Sequence, residues 1–258
     1  MQSAVMIDPK SILITGASSG IGEALAHEYA ASGMHLVLTG RDSTRLSKVA
    51  ENCRALGANV TTHSVDVTDE VTMAALIHNA DQAHPLDLVI ANAGISAGSG
   101  TDGETQTQAR TIFDVNFGGV INTIWPAIEA MKPRGKGQIA IISSLAGFMA
   151  LPGAPAYSTS KVAVKAYGEA LHGALKSEGI TVTTVCPGFI KSRITDKNDF
   201  PMPFFMQAPK AARIIRRGLS KGNVLVTFPW PLAALTWLTS IFPTSLRVWL
   251  MSRAPKKN

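Results

Sequence analysis

Short runs of β-branched and aliphatic residues alternate with stretches of helical spacing along the whole chain, and this alternation limits the possible folds more than any other feature. The strand-like runs cover residues 11–15, 35–39, 60–67, 86–91, 138–143, 181–186 and 223–228. Helical patterns cover 20–32, 43–56, 69–80, 104–131, 156–177 and 209–220. The runs are nearly continuous in apolar residues, as strands covered on both faces must be. Right-handed crossovers then predict an α/β fold with a doubly wound, seven-stranded parallel sheet in a single domain. The expected division is a dinucleotide-binding and catalytic body over 1–228 and a C-terminal apolar helical extension over 229–258.

With 258 residues, 46% hydrophobic and 16% charged, the chain has ample material for a buried core and does not have the composition of a disordered protein. Cys53 and Cys186 are its two cysteines, too few for a disulfide framework or a four-thiolate zinc site. The six histidines follow no metal-binding spacing, so no metal is predicted. The net charge of +6 is scattered rather than interleaved with aromatics, which argues against nucleic acid as a partner. The short, mixed segment before Ser11 lacks the pattern of a secretory leader, so a cytoplasmic location is expected.

Thr15-Gly16-Ala17-Ser18-Ser19-Gly20-Ile21-Gly22 lies between the first predicted strand and the first predicted helix. Glycine there permits a tight reversal and lets backbone approach a pyrophosphate, while a helix N-terminus offers unpaired N–H groups. Gly22 also has a purely structural reading, close helix–strand packing. The second strand ends Gly40-Arg41-Asp42. The Arg41 guanidinium suits a ribose 2′-phosphate, because its fork gives two parallel hydrogen bonds to an anion. Asp42 is the counter-argument, since it could pair with Arg41 or take the ribose itself.

Tyr157 and Lys161 are four residues apart on a predicted helix and so share a face. An ammonium close to a phenol favours the phenolate and predicts a Tyr157 pKa drawn toward neutrality. Ser144 closes the fifth strand, where ligands of parallel sheets sit, and can hydrogen-bond a substrate oxygen as charge develops on it. Ser143 is the competing serine. Asn116 lies inside the long fourth helical pattern, followed by Gly118-Gly119, which predicts a local loosening there.

The Thr-Gly-x-x-x-Gly-x-Gly loop and the Asn116, Ser144, Tyr157, Lys161 set, in this order, resemble the short-chain dehydrogenase/reductase family over about residues 10–228. The resemblance implies a Rossmann fold and a nicotinamide-dependent oxidoreductase that interconverts an alcohol and a carbonyl compound. It implies Tyr157 as acid/base, Ser144 orienting the substrate oxygen, Lys161 tuning Tyr157 and holding the ribose, and Asn116 positioning a water that relays protons to Lys161. It adds cofactor contacts at Gly16, Ser18, Ser19, Gly20, Ile21 and Gly22. Further contacts fall at Asn92-Ala93-Gly94, Pro187-Gly188, Ile190 and Ser192, and at the Asp66-Val67 pair that would meet the adenine ring. For Asp66 an ordinary helix cap is the alternative reading. The basic residue after the second strand implies NADP(H) in preference to NAD(H). A homodimer is expected, and a tetramer is the family's other common form.

Beyond residue 228, Leu232, Leu235, Leu238, Phe242, Leu246 and Trp249 recur every three or four residues as an amphipathic stripe, interrupted by Pro243. The stripe is expected to close over an apolar substrate pocket or a dimer interface. A peripheral membrane contact, or simple core packing, is the alternative. The loop before residue 207 carries Phe200, Met202, Phe204, Phe205 and Met206, which points to a hydrophobic substrate. Two other functions fit part of the pattern: a 3-oxoacyl-(carrier protein) reductase docking its carrier on Arg213, Arg216 and Arg217, and a catalytically silent NADP-binding sensor or membrane-associated scaffold.

Overall fold

A computed structural model of the chain describes residues 8–96, 103–197 and 200–253. Seven parallel strands form one sheet in the order β3-β2-β1-β4-β5-β6-β7. They are β1 Ser11–Ile14, β2 His35–Gly40, β3 Asn59–Ser64, β4 Leu88–Ala91, β5 Gly137–Ile142, β6 Ile180–Pro187 and β7 Leu225–Phe228. The chain winds outward from β1 to β3 and then returns to the centre for β4. The order therefore reverses between β1 and β4, and a crevice opens beyond their carboxyl ends.

Side chains of successive strand residues point to opposite faces, and each face has its own core. Ile12 and Ile14 pack with Leu25 of α1 (Gly20–Tyr29), Leu46 of α2 (Ser43–Ala55) and Ile215 of α7 (Ala208–Ser220). Leu13, between them in sequence, packs on the other side. Its neighbours there are Met73 of α3 (Glu70–Ala83), Ile124 of α5 (Gly119–Met131) and Val164 of α6 (Pro155–Leu175). The central strands β1, β4, β5 and β6 are buried along their whole length, with Ser11, Gln138, Thr181, Thr183 and Thr184 buried among their aliphatic residues.

The strand and helix boundaries depart from the sequence pattern by a few residues at most of the ends. The largest departure is the pattern over 104–131. It forms α4 (Gln106–Phe113), started by a reciprocal Thr105–Gln108 capping box, then a π-helical segment over Asp114–Gly118, then α5. The loosening expected near Gly118-Gly119 therefore takes the form of a widened turn that contains Asn116. Gly119 is needed on packing grounds, since a Cβ there would lie 2.5 Å from Val67 Cγ2.

The C-terminal extension forms α8 (Trp230–Ser240) and α9 (Thr244–Ser252), with the break at Pro243 that the sequence predicts. The single inward stripe does not form. Leu235, Leu238, Leu246 and Trp249 are all exposed, and Thr236 is the only buried residue of the two helices. The cause lies in the residues between the stripe positions. Trp230, Trp237, Ile241 and Val248 add apolar residues outside the stripe, so large apolar side chains lie on more than one side of the two helices.

Candidate active site

The crevice is a cleft of about 840 Å³ whose walls include the glycine loop, the ends of β2, β4 and β5, the first turns of α6 and the segment after β6. A broader groove of about 1090 Å³ follows the outer edge of β3, far from Tyr157 and Lys161, and holds none of the residues singled out for chemistry.

One end of the cleft is framed by main chain. Gly16 and Gly20 adopt left-handed φ values of 65° and 61°, which favour glycine. A Cβ on Gly16 would come within 2.8 Å of Ala93 Cα, and one on Gly22 within 2.4 Å of the Gly16 carbonyl oxygen. Gly22 therefore serves the packing of the loop on itself. Thr15, which heads the motif without a role assigned to it, ties this loop to β4. Its hydroxyl oxygen accepts the main-chain N–H groups of Asn92 (3.0 Å) and Ala93 (3.1 Å). The Asn92 amide in turn donates to the carbonyl oxygens of Thr15 (2.9 Å) and Gly16 (3.2 Å). Ser19 stands at the N-cap of α1 without a capping hydrogen bond, so the first turn keeps unpaired N–H groups facing the loop.

Arg41 and Arg45 stand at the far end of the cleft. Arg41 pairs with Asp66 at 3.6 Å, whereas Asp42 N-caps α2, accepts the Arg45 N–H at 2.9 Å and pairs with the Arg45 guanidinium at 3.0 Å. The Arg41–Asp42 pairing that the sequence allowed is thus replaced by two other pairs. Asp66 is not the helix cap, because Asp69 holds that place in α3. Asp66 instead closes the preceding turn by accepting from the Thr68 N–H (3.0 Å) and hydroxyl (2.9 Å). Burial would raise its pKa, but the Thr68 hydrogen bonds and the Arg41 charge outweigh it and hold the carboxyl below its usual value. Val67 is fixed by Asn122, whose amide donates to its carbonyl at 2.9 Å.

Ser144, Tyr157 and Lys161 meet at the middle of the cleft. Ser144 caps a short 3₁₀ turn, Leu145–Phe148, accepting the Ala146 N–H at 3.1 Å. Its hydroxyl donates to the Pro187 carbonyl at 3.5 Å, and it stands near enough to the Tyr157 phenol to draw that pKa down. Ser143 is buried and its hydroxyl donates to the Lys161 carbonyl at 2.8 Å, which commits it to the packing of α6 against β5. The start of α6 has no side-chain cap of its own. Glu104, far away in sequence, accepts the Ala156 N–H with both oxygens at 3.1 Å, next to Tyr157.

Lys161 is 5% exposed and donates to the Ile142 carbonyl at 3.0 Å. Its ammonium lies 6.0 Å from the centre of the Tyr157 ring. The helical spacing does put both side chains on one face, but Lys161 reaches back to the end of β5 rather than to the phenol. Burial lowers the Lys161 pKa to about 8. Burial also raises that of Tyr157, opposed by the Ser144 hydrogen bond. The depressed phenol pKa expected from the sequence is therefore absent here. Asn116 is fully buried. It accepts the Ile95 N–H (2.8 Å) and donates to the Ile95 carbonyl and the Ser160 hydroxyl (both 3.0 Å), so it pins the chain after Gly94 to α6. Pro187, Gly188, Ile190 and Ser192 line the remaining wall, with Thr195 bracing Ser192 by accepting its N–H at 2.9 Å.

These features fit a dinucleotide. The loop presents bare backbone and free N–H groups where phosphates would lie. Arg45 Nε has no partner among the described residues, and Arg41 engages its carboxylate only at long range.

Comparison with known proteins agrees. Residues 10–201 match the family model for short chain dehydrogenase. An uncharacterized oxidoreductase of Myxococcus xanthus is 36% identical over 238 residues, covering 92% of this chain and 94% of its own. 11-beta-hydroxysteroid dehydrogenase-like 2 of Arabidopsis thaliana is 35% identical over 241 residues, 90% of this chain and 76% of that one. A short-chain dehydrogenase from Sphingobium yanoikuyae, solved with NADPH, superposes with a TM-score of 0.80 at 25% identity over 96% of this chain and 97% of its own. One from Burkholderia phymatum, solved with NAD, gives 0.82 at 24% identity over 100% and 99%, a likeness of fold. Sequence family, sheet order and the residues gathered in the crevice coincide: the chain belongs to the short-chain dehydrogenase/reductase family and is a nicotinamide-dependent oxidoreductase acting on CH–OH and C=O groups.

Proposed function

We propose that the enzyme uses NADP(H) to interconvert a hydrophobic carbonyl compound and its alcohol, with Tyr157 as the proton donor and acceptor. The observation that carries this reading is the placement of Ser144, Tyr157 and Lys161 in a cleft whose far end holds two arginines. Gly16, Ser18, Ser19, Gly20 and Ile21 would hold the pyrophosphate; Asn92, Ala93, Gly94 and Val67 the adenosine half; Pro187, Gly188, Ile190 and Ser192 the nicotinamide. Bound there, the dinucleotide supplies hydride to the carbonyl carbon or removes it from the alcohol carbon. In reduction, Ser144 donates a hydrogen bond to the substrate oxygen, and Tyr157 gives that oxygen its proton. Lys161, charged below about pH 8, stabilises the phenolate left behind. Asn116 keeps the Gly94–Ile95 segment against α6, so the lysine and the cofactor wall stay in register.

Arg41 and Arg45 favour a 2′-phosphate over a free 2′-hydroxyl. The test is turnover with NADPH and NADH against hydrophobic ketones, aldehydes and 3-oxoacyl thioesters. NADPH is expected to be preferred, and Arg41→Ala should lower kcat/KM for NADPH by about 100-fold while leaving NADH within about threefold. A wild-type preference for NADH would overturn the cofactor assignment. A strict requirement for carrier-bound thioesters would replace the free hydrophobic ketone with the carrier-protein reading.

Homodimerisation is carried in this reading by α5 and α6. Trp125 and Val162 are exposed there, and the Trp125 indole donates to Tyr167 at 2.8 Å.

A further inference from the structure

Charge is segregated along this chain. No Asp or Glu follows Asp199, yet nine of the 24 lysines and arginines do. Residues 1–199 hold 15 basic and 18 acidic residues, a net −3, against +9 for residues 200–258. Helices α8 and α9 lie within the basic part, and they expose what a water-facing helix turns inward. Trp230 is 78% exposed, Ile241 63% and Trp237 61%, with Trp249 more than half exposed as well. At α8, α9 and the residue after them the charges are Arg247 and Arg253, with no carboxylate, and an apolar surface of that kind is complementary to an anionic lipid boundary. Tryptophan sits at that boundary, and arginine pairs with headgroup phosphates. Arg253 already stacks 3.7 Å above the Trp249 ring, which keeps charge and indole at one level. At 11 and 9 residues the helices are too short to span a bilayer, and no described helix is long and apolar enough to do so. A second copy fits less well. A two-fold contact would set the patch against itself and bring Arg247 and Arg253 toward their own equivalents with no carboxylate to pair them.

The extension also starts against the wall of the cleft, at Gly188. Leu232 and Pro229 stand against Gly188, so close that a Cβ there would lie 3.1 Å from Leu232 Cδ2 and 2.9 Å from Pro229 Cδ. We propose that α8 and α9 dock in the plane of an anionic membrane surface and hold the mouth of the cleft at the lipid boundary, where an apolar carbonyl substrate can enter. Docking stands independently of the chemistry proposed above; only the delivery of substrate rests on it.

The test is flotation of the full chain with vesicles of phosphatidylcholine plus phosphatidylglycerol, and with phosphatidylcholine alone. Binding is expected to the anionic vesicles and to be weakened by salt. Arg247→Gln combined with Arg253→Gln should weaken it about thirtyfold, about fivefold per charge. Trp237→Glu with Ile241→Glu should abolish it, while circular dichroism and NADPH affinity stay unchanged. No binding to anionic vesicles, or equal binding to neutral ones, overturns the docking. So does a wild-type dimer that the Trp237→Glu/Ile241→Glu variant converts to monomer. For delivery, a ketone dissolved in vesicles should be reduced more slowly by that variant, and a water-soluble ketone at the wild-type rate. Equal rates on the vesicle-borne ketone overturn delivery. Failure of every protein on every ketone counts against the proposed chemistry, with the flotation result still standing.

Discussion

The two sides of the cleft are built on different principles. On the side proposed for the dinucleotide, Thr15, Asn92 and Asn116 are locked by hydrogen bonds within the chain, to main chain of other segments and, for Asn116, to the Ser160 hydroxyl as well. Behind Gly188, on the side proposed for the substrate, stand Leu145, Pro229 and Leu232, and contact there is apolar and non-directional. A hydrogen-bonded clamp demands particular residue types at particular positions, because an orphaned buried donor costs about 1–3 kcal/mol. An apolar wall is satisfied by many residues of similar volume. The first side therefore fixes a reaction class, and the second leaves the substrate to the detailed shape of a few side chains.

The sharpest way to break this contrast is Tyr157→Phe. The phenol hydroxyl sits where the two sides meet and belongs to neither scaffold; its contact in the cleft is Ser144. Its removal should lower turnover by about a thousandfold or more and leave NADPH affinity within about threefold. Steady-state kinetics and fluorescence titration of the same variant would check both halves. Turnover above a tenth of wild type would mean that another group transfers the proton.

The contrast also explains what the sequence revealed. The sheet was legible because β1, β4, β5 and β6 are largely β-branched and aliphatic and the intervening stretches have helical spacing. The crevice was legible because parallel strands gather their carboxyl ends, so segments that follow strands in sequence become neighbours in space. What escaped depends on contacts between distant segments. Nothing local to Glu104 announces that it caps α6, 52 residues on. Thr15 reads as the last residue of a strand until Asn92 and Ala93 are seen to donate to it. The pairing of Arg41 with Asp66 rather than Asp42 was settled by α2, which needed Asp42 as its cap. The C-terminal stripe misled for another reason: a period of apolar residues predicts an inward face only when the positions between them are mostly polar, and here Trp230, Trp237, Ile241 and Val248 lie outside the stripe.

Lys161 offers a smaller, graded test, because the proposed mechanism gives it a part in the proton transfer while its hydrogen bond goes to the main chain of β5. The folded protein holds its proton less tightly than the unfolded chain does, with a pKa lowered to about 8 from the ordinary 10.5. The unfolded chain therefore binds more protons between those values, and stability should climb as pH rises from about 8 toward 10.5 and be level below about 8. Lys161→Met should flatten that climb. It should also raise stability at neutral pH by about 1–2 kcal/mol, since the penalty of burying a charge exceeds the hydrogen bond lost at Ile142. Urea titrations across the pH range would read both. In catalysis the sign is opposite: kcat/KM for reduction should fall above about pH 8, as the ammonium that stabilises the phenolate disappears. Lys161→Arg should move that fall to higher pH.

The smallest effect probes the apolar wall alone. Leu232 reaches Gly188 from α8 and makes no hydrogen bond through its side chain, so Leu232→Ala removes surface without orphaning a polar group. KM for a bulky hydrophobic ketone should rise about fivefold, the equivalent of about 1 kcal/mol of lost apolar contact, with kcat and NADPH affinity unchanged. A small ketone that never touches this wall should show no change at all. Should kcat fall instead, or NADPH affinity with it, Leu232 would be holding Gly188 and Ser144 in place, and the two sides of the cleft would be one mechanical unit rather than a clamp facing an interchangeable wall.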